Sequence, residues 1–283
     1  MAYVHLMKPR SVLLLLVTAL AAMVMAGPGV PSLAAATLLV LGGAMAAGGA
    51  NVLNCYLDRD LDRRMARTAR RPLPAGKLIP LHALLFGLSL SVISVAVFAF
   101  GLNRLSAALA ASGVLYYVVV YTLSLKRSTH WNVVIGGVAG ALPLLVGWTA
   151  AGGQLSWWPV WLGALVVCWT PPHFWSLALL RQREYAEARI PMLPVVRGEK
   201  STARQILGYA LALVALTLLL YPAGFVGFGF SVLALVLGTV LVCLAVRLLR
   251  HPDDGAARRL YRYSIVYLSL LFLGMILDRL LLF

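Results

Sequence analysis

The chain has 283 residues, of which 61% are hydrophobic and only 12% are charged, and its mean hydropathy is +0.90. A soluble domain carries about 45–50% apolar and about 25% charged residues, so the composition excludes an ordinary soluble protein. It excludes an intrinsically disordered chain for the same reason. The net charge of +15 would suggest a nucleic-acid partner in a soluble protein. In a chain this apolar we expect the lipid bilayer instead, and no nucleic acid.

Apolar segments of about 20 residues, the length needed to cross a bilayer as a helix, recur nine times along the chain. They predict an all-α polytopic membrane protein with nine transmembrane helices, forming a single domain over residues 1–283. The predicted segments lie at roughly 11–27, 33–56, 81–100, 105–125, 132–151, 157–180, 206–222, 225–246 and 264–282.

The charged residues between these segments predict the orientation. With nine spans, 22 of the 24 Lys and Arg residues fall on the side of the N-terminus, and only Arg104 and Arg279 lie on the other side. By the positive-inside rule the N-terminus is cytoplasmic. Three aspartates at 58–62 close the second segment, and three glutamates at 184–199 follow the sixth. Because these acidic clusters are four helices apart, we expect two four-helix halves plus a ninth helix.

A polar stripe runs down the cytoplasmic end of the second segment. At 100° per residue, Asn51, Asn54, Asp58 and Asp62 fall within an arc of roughly 80°. Carboxylates four residues apart repel each other, and ionised groups at a membrane boundary are costly, so something positive must offset both. Mg²⁺ suits carboxylate and amide oxygens. The alternative is a topology anchor, in which neighbouring arginines pair with the acids, but that leaves the two asparagines unexplained.

The loop that follows the stripe is rich in cations. Carboxylates that hold a metal, next to Arg and Lys that bind phosphate oxygens, fit a metal–diphosphate complex. Arg67 and Arg71 lie in this loop, and Lys126 and Arg127 end the fourth segment on the same side. The alternative for these cations is positive-inside charge, or snorkelling of the long side chains to the interface.

The sixth segment contains the pair Pro171-Pro172, which we expect to break its hydrogen-bond ladder and kink it. His173 follows directly, between aromatic residues. It is either a satisfied buried histidine or a contact for a large planar substrate such as haem. Glu184 and Glu187 lie three residues apart in the next loop, where they form either a second metal cluster opposite the first or a pair of solvated acids.

These motifs resemble a known family. The spacing Asn54-x-x-x-Asp58-x-x-x-Asp62, with Arg67-Thr and Arg71-Pro-Leu after it, is similar to the first signature of the UbiA-type intramembrane prenyltransferases. One departure is Arg183, where an acidic residue is expected before Glu184 and Tyr185. Three further stretches resemble the branch of that family that acts on haem: Tyr121-Thr-Leu-Ser-Leu-Lys126, Trp169-Thr-Pro-Pro-His-Phe-Trp and Ile190-Pro-Met-Leu-Pro.

The resemblance implies transfer of a farnesyl group from farnesyl diphosphate to a vinyl group of haem B, giving haem O for a terminal oxidase. It implies Mg²⁺ as cofactor, the bilayer and terminal oxidase assembly proteins as partners, and a bacterial inner membrane location with the site facing the cytoplasm. Two alternatives stay open: a sister prenyltransferase with an aromatic or chlorin acceptor, and a haem-binding membrane transporter. The implied site residues are Asn54, Asp58 and Asp62 for catalysis and metal binding, Glu184 and Glu187 for further metal binding, Arg67, Arg71, Lys126 and Arg127 for diphosphate, and His173, Trp175 and Tyr185 for the acceptor.

Overall fold

The structure is a computed structural model that describes residues 1–27 and 29–282. Over these residues the chain is helical and contains no strand. Nine helices in this part of the chain are long and apolar enough to cross a membrane, which confirms the predicted number. They are α1 (Pro9–Ala26), α2 (Leu33–Leu57), α3 (Pro80–Gly101), α4 (Arg104–Ser128), α5 (Asn132–Ala150), α6 (Trp157–Leu180), α7 (Leu193–Leu218), α8 (Phe228–Arg250) and α9 (Asp254–Leu282).

Two helices begin earlier than their apolar segments predict. Helix α7 starts at Leu193 rather than near residue 206, and it kinks at Gly198, where φ is 76°. Helix α9 starts at Asp254 rather than near residue 264. Both added stretches carry several charges. Hydropathy marks only the part of a helix that lies in hydrocarbon, so it misses helical turns that continue past the apolar segment.

The nine helices form two groups of four. Helices α2 to α5 pack side by side in chain order, and α6 to α9 form a second bundle in which α9 closes back on α6. Helix α1 lies between the groups and packs on α2, α5 and α9, so it is the helix outside the two predicted halves. The crossing of α1 and α5 depends on Gly147, because a Cβ there would lie 1.9 Å from the carbonyl oxygen of Ala19.

Irregular backbone appears in α4, not at the proline pair of α6. Helix α6 runs without interruption through Pro171 and Pro172, although neither proline has an N–H to donate to the ladder. In α4, residues Tyr116–Leu125 form a π-helix. Such segments are rare and occur often at functional sites.

Two short segments cover the end of α2 and the start of α3. The helix Ala2–Met7 precedes α1, and its Leu6 packs with Cys55 and with Leu73 of the loop between α2 and α3. Tyr3 contacts the ring of Phe86 edge-on at 4.9 Å. The N-terminal segment is therefore held against the end of α2 that carries the polar stripe.

Candidate active site

The acidic end of α2 keeps the side chains of the stripe together. Helix α2 ends at Leu57 and a short helix, Arg59–Arg64, follows. The helical bonds continue across the junction, since the Asp58 N–H donates to Asn54 O at 2.9 Å and the Asp62 N–H donates to Asp58 O at 2.8 Å. Asn54, Asp58 and Asp62 are only 3%, 1% and 4% exposed. The predicted stripe is thus a buried row of oxygens.

Basic side chains lie directly on both carboxylates. The Lys126 ammonium contacts Oδ2 of Asp58. Nη1 of Arg71 donates to both oxygens of Asp62, at 2.8 and 3.0 Å. The loop that carries Arg71 is fixed by the Thr68 hydroxyl, which donates to the Asp62 carbonyl oxygen at 2.9 Å. The structure therefore brings two of the four predicted diphosphate-binding residues onto the predicted metal ligands.

One carboxylate oxygen in this row has no hydrogen bond. Oδ1 of Asp58 is buried and has no hydrogen-bond partner among the described residues. Nη2 of Arg127 lies 3.8 Å from it. A buried, unpartnered carboxylate oxygen is expensive, and a hard oxygen beside a second carboxylate is a donor that Mg²⁺ accepts. Oδ1 of Asp58 therefore fits a magnesium site, whereas the oxygens of Asn54 and Asp62, the other predicted ligands, would have to exchange Lys8 and Arg71 for the metal.

Arg127 makes its main contact outside the buried row. Its two Nη atoms donate to the two oxygens of Asp60, each at 2.9 Å, and Nη2 also donates to the carbonyl oxygen of Leu57 at 3.1 Å. The Asp60 carboxylate is half exposed. The hydrogen bond from Arg127 lowers the pKa of Asp60. This pair connects the C-terminal end of α4 to that of α2.

Lys8, the lysine directly before α1, also belongs to the site. Its Nζ donates to Oδ1 of Asn54 at 2.8 Å. Its backbone is left-handed, with φ at 54°, and Asn51 Nδ2 donates to the carbonyl oxygen of Met7 at 3.0 Å. Burial lowers the pKa of the Lys8 ammonium. In the sequence, nothing distinguishes this lysine from other basic residues that precede a span.

The π-helical segment of α4 places several polar groups over the same row. At 100° per residue, a regular α-helix would put Lys126 roughly 180° from Tyr117. The i→i+5 pattern widens the turn to about 4.4 residues and brings the two to within about 20° of each other. Oγ1 of Thr122 accepts from Asn54 Nδ2 at 3.2 Å and donates to the carbonyl oxygen of Tyr117 at 2.8 Å. Tyr121 stacks on Tyr117 with ring centroids 5.4 Å apart.

The loop after α6, which carries Glu184 and Glu187, approaches the loop after α2 through Tyr185. This tyrosine lies on the short helix Gln182–Glu187. Burial raises the pKa of Tyr185, and its phenol interacts electrostatically with Arg67 and Arg71.

The two glutamates of this motif differ from each other. Glu184 accepts from Arg181 at 2.9 Å, and its Oε2 is buried without a partner in the described chain. Glu187 is exposed. No three His, Cys, Asp or Glu side chains converge as a metal-binding group within residues 1–27 and 29–282. The two acidic motifs therefore do not form one compact ligand set.

The remaining predicted residues lie on α6. His173 is sandwiched between Trp169 and Tyr261, with ring centroids 4.4 and 4.9 Å away. Trp175 is fully buried and contacts Tyr209 edge-on at 5.6 Å, so it offers no surface to a ligand. No hydrogen bond or ion pair in the described residues joins His173 or Trp175 to the acidic row.

The fold and the buried acidic row define a class of protein. Residues 15–273 match the model of the UbiA prenyltransferase family, and the chain belongs to this family. Among similar curated proteins is a protoheme IX farnesyltransferase of Microcystis aeruginosa, 48% identical over 281 residues that cover 99% of this chain and 89% of that protein. Another is a protoheme IX farnesyltransferase of Symbiobacterium thermophilum, 50% identical over 278 residues, covering 98% and 93%.

Solved structures share the fold at low sequence identity. A digeranylgeranylglyceryl phosphate synthase superimposes with a TM-score of 0.81 at 17% identity, covering 99% of this chain and 98% of that one. A UbiA homolog from Archaeoglobus fulgidus, bound to DMAPP and Mg²⁺, superimposes with a TM-score of 0.72 at 17% identity, covering 97% and 99%. These likenesses show that the chain shares the fold of these proteins.

Proposed function

We propose that residues 1–283 form one prenyltransferase domain that transfers a farnesyl group from farnesyl diphosphate to a vinyl group of haem B. The observation that carries this proposal is the unpartnered, buried Oδ1 of Asp58, which lies within a row of oxygens surrounded by cations. The names of relatives that cover nearly the whole chain at 48–50% identity support the choice of donor and acceptor. Water adds during the reaction, so the products are a hydroxyethylfarnesyl haem (haem O) and diphosphate.

In this proposal Asn54, Asp58 and Asp62 hold Mg²⁺, and Glu184, whose Oε2 makes no hydrogen bond in the described chain, offers a carboxylate for a second, separate metal ion. Bound Mg²⁺ would neutralise charge on the diphosphate and so favour its departure. Glu187 is exposed, so we leave it out of the metal site.

The basic side chains bind the diphosphate oxygens. Lys126 and Arg71 lie on the two carboxylates and can turn to the phosphates, where they stabilise the charge that develops on the leaving group. Arg67, in the loop between α2 and α3, is exposed and lies near Tyr185. Arg127, anchored on Asp60, adds positive charge at the rim. The apolar helices exclude bulk water from the reacting allylic carbon.

The acceptor lies between the acidic row and α6. His173 and Tyr185 contact the haem in this proposal. Trp175 is buried and packs behind the residues that line the acceptor site. The site opens to the cytoplasm of a bacterial inner membrane, because the ends of α2 and α4 that carry it are also the ends rich in Lys and Arg. The product would pass to a terminal oxidase and its assembly proteins.

The test is a transfer assay with the full chain in membranes. Haem B, farnesyl diphosphate and Mg²⁺ are supplied, and the haem products are identified by mass. We expect haem O from the wild type, and a loss of about 10²–10³-fold for Asp58→Asn, the size of effect seen when one electrostatic group is removed from an active site. Asp60→Asn is the matched control from the same motif, with an expected change of less than about threefold, since that carboxylate is half exposed. A wild-type protein that made no farnesylated haem would overturn the proposal.

A further inference from the structure

The imidazole of His173 is fixed on three sides. Trp169 stacks on one face at an interplanar angle of 15°, and Tyr261 stacks on the other at 25°. Nδ1 lies 2.8 Å from Oγ of Ser264 on α9. Phe174 meets the ring edge-on at 5.3 Å. The ring plane is therefore set by side chains of both α6 and α9.

Ser264 decides which ring nitrogen carries the proton. Its hydroxyl donates to the carbonyl oxygen of Tyr261 at 2.7 Å, and a hydroxyl has only one hydrogen to donate. Toward His173 the Ser264 oxygen must then accept, so Nδ1 carries the hydrogen. In the neutral imidazole the other nitrogen, Nε2, holds a lone pair, and it makes no hydrogen bond within the described residues.

Ser264 is also a fixed point of the contact between α6 and α9. It is fully buried, and its carbonyl oxygen accepts from Nε1 of Trp169 at 2.7 Å. Ser264 thus binds the imidazole of His173 through its hydroxyl and, through its carbonyl oxygen, binds Trp169, which stacks on that imidazole. His173 is only partly buried, and its Nε2 is not among the described buried side-chain atoms that lack a partner, so a ligand can reach this nitrogen.

We propose that Ser264 is a positioning residue that holds His173 in the Nδ1–H tautomer, so that Nε2 serves as an axial ligand to the iron of a planar tetrapyrrole acceptor. This inference rests on the proposed haem acceptor. A neutral imidazole nitrogen is the commonest metal ligand in proteins, and the hydrogen bond made by the other nitrogen fixes which one coordinates. His173 lies seven residues before the end of α6 at Leu180, about 10 Å along the helix at 1.5 Å per residue.

The experiment distinguishes binding of the porphyrin ring from coordination of its iron. The purified full chain is titrated with haem B and, separately, with metal-free protoporphyrin IX, and the absorption spectrum is recorded. Ser264→Ala should weaken haem B binding by about 10-fold, within the range found when the outer partner of a metal-bound histidine is removed, and should shift the Soret band. It should leave metal-free protoporphyrin binding unchanged. Ser264→Thr keeps a hydroxyl and should retain the wild-type spectrum.

Two further variants control for packing and for the ligand itself. Ser94→Ala removes another fully buried serine hydroxyl, bonded to the carbonyl oxygen of Gly42 at 2.7 Å, and should change neither titration. His173→Ala should lose the wild-type haem spectrum, and added imidazole should restore it.

The outcomes distinguish this inference from the proposed function. If the wild type makes haem O but Ser264→Ala binds haem B with wild-type affinity and spectrum, the tautomer role is wrong and the proposed function stands. If Ser264→Ala weakens both porphyrins equally, the serine acts only on packing and the inference fails. If the wild type binds no haem B, the proposed acceptor and this inference fall together.

Discussion

The ammonium of Lys126 contacts one oxygen of Asp58 while the other oxygen of the same carboxylate is buried without a hydrogen bond. The protein itself therefore donates hydrogen bonds to only one of the two carboxylate oxygens. A cation that arrives with the substrate would complete the compensation and free the lysine for the phosphates. In this arrangement the basic residues have two successive roles, first as partners of the acids and then as partners of the leaving group.

Replacing Lys126 should affect the metal and the substrate in opposite directions. In Lys126→Met the Asp58 carboxylate loses the cation in direct contact with it, so we expect Mg²⁺ alone to bind several-fold more tightly than in the wild type, because a competing cation has been removed. Farnesyl diphosphate should bind more weakly, and turnover should fall by about 10²-fold. Calorimetric titration with MgCl₂, and then with the diphosphate, measures both effects. Lys77→Met, which removes an exposed lysine, is the control for net charge. Weaker Mg²⁺ binding in Lys126→Met would contradict the two successive roles.

The buried Lys8 should make folding stability depend on pH on the alkaline side. Burial lowers its pKa below the ordinary 10.5, so between the folded and unfolded pKa values the unfolded chain binds more protons. Stability contributed by this group therefore rises with pH across that window. Unfolding of the wild type and of Lys8→Met, followed from about pH 7 to about pH 10, should show a shallower rise for the variant. Parallel curves would mean that the ammonium is not desolvated by the fold.

Much of the fold could be predicted from the sequence. The lengths of the apolar segments predicted nine membrane-spanning helices. The separation of the two acidic clusters by four helices predicted the two four-helix groups. What could not be predicted depends on contacts rather than composition. The early start of α7 involves a left-handed Gly198 within a charged stretch. The π-helix over Tyr116–Leu125 has no signature in apolar periodicity, because its residues are apolar on nearly every side.

For the candidate site, helical periodicity predicted that Asn54, Asp58 and Asp62 form one row, and their burial agrees with it. Periodicity could not find Lys8 or Thr122. Both reach the row from other segments of the chain, and their bonds to Asn54 depend on tertiary packing. A lone lysine before a span and a threonine within one are ordinary in any membrane helix.

Tyr185 should act on the substrates rather than on the metal. Its phenol is buried near Arg67 and Arg71, and burial raises its pKa, so it stays protonated and able to donate at neutral pH. Tyr185→Phe should lower the transfer rate by about 10-fold, the cost of one lost hydrogen bond of about 1.5 kcal/mol, and should leave the Mg²⁺ concentration for half-maximal rate unchanged. Rates measured across a Mg²⁺ series check both statements. A raised Mg²⁺ requirement would place Tyr185 with the metal ligands instead.

The Thr122 hydroxyl should orient Asn54 for the metal. It accepts from Nδ2 of Asn54 at 3.2 Å, and that amide nitrogen also donates to Oδ2 of Asp58 at 2.7 Å, so the amide oxygen is turned toward Lys8. Thr122→Val keeps the shape of the side chain but loses the acceptor, and a buried donor that loses a partner costs about 1–3 kcal/mol. We expect the Mg²⁺ concentration for half-maximal rate to rise by about 5–10-fold, with a smaller effect on the maximal rate. Thr122→Ser keeps the hydroxyl and should behave like the wild type. If the valine variant needs no more Mg²⁺ than the serine variant, the amide of Asn54 is held by Asp58 and Lys8 alone, and the π-helical segment contributes to the site only through Lys126.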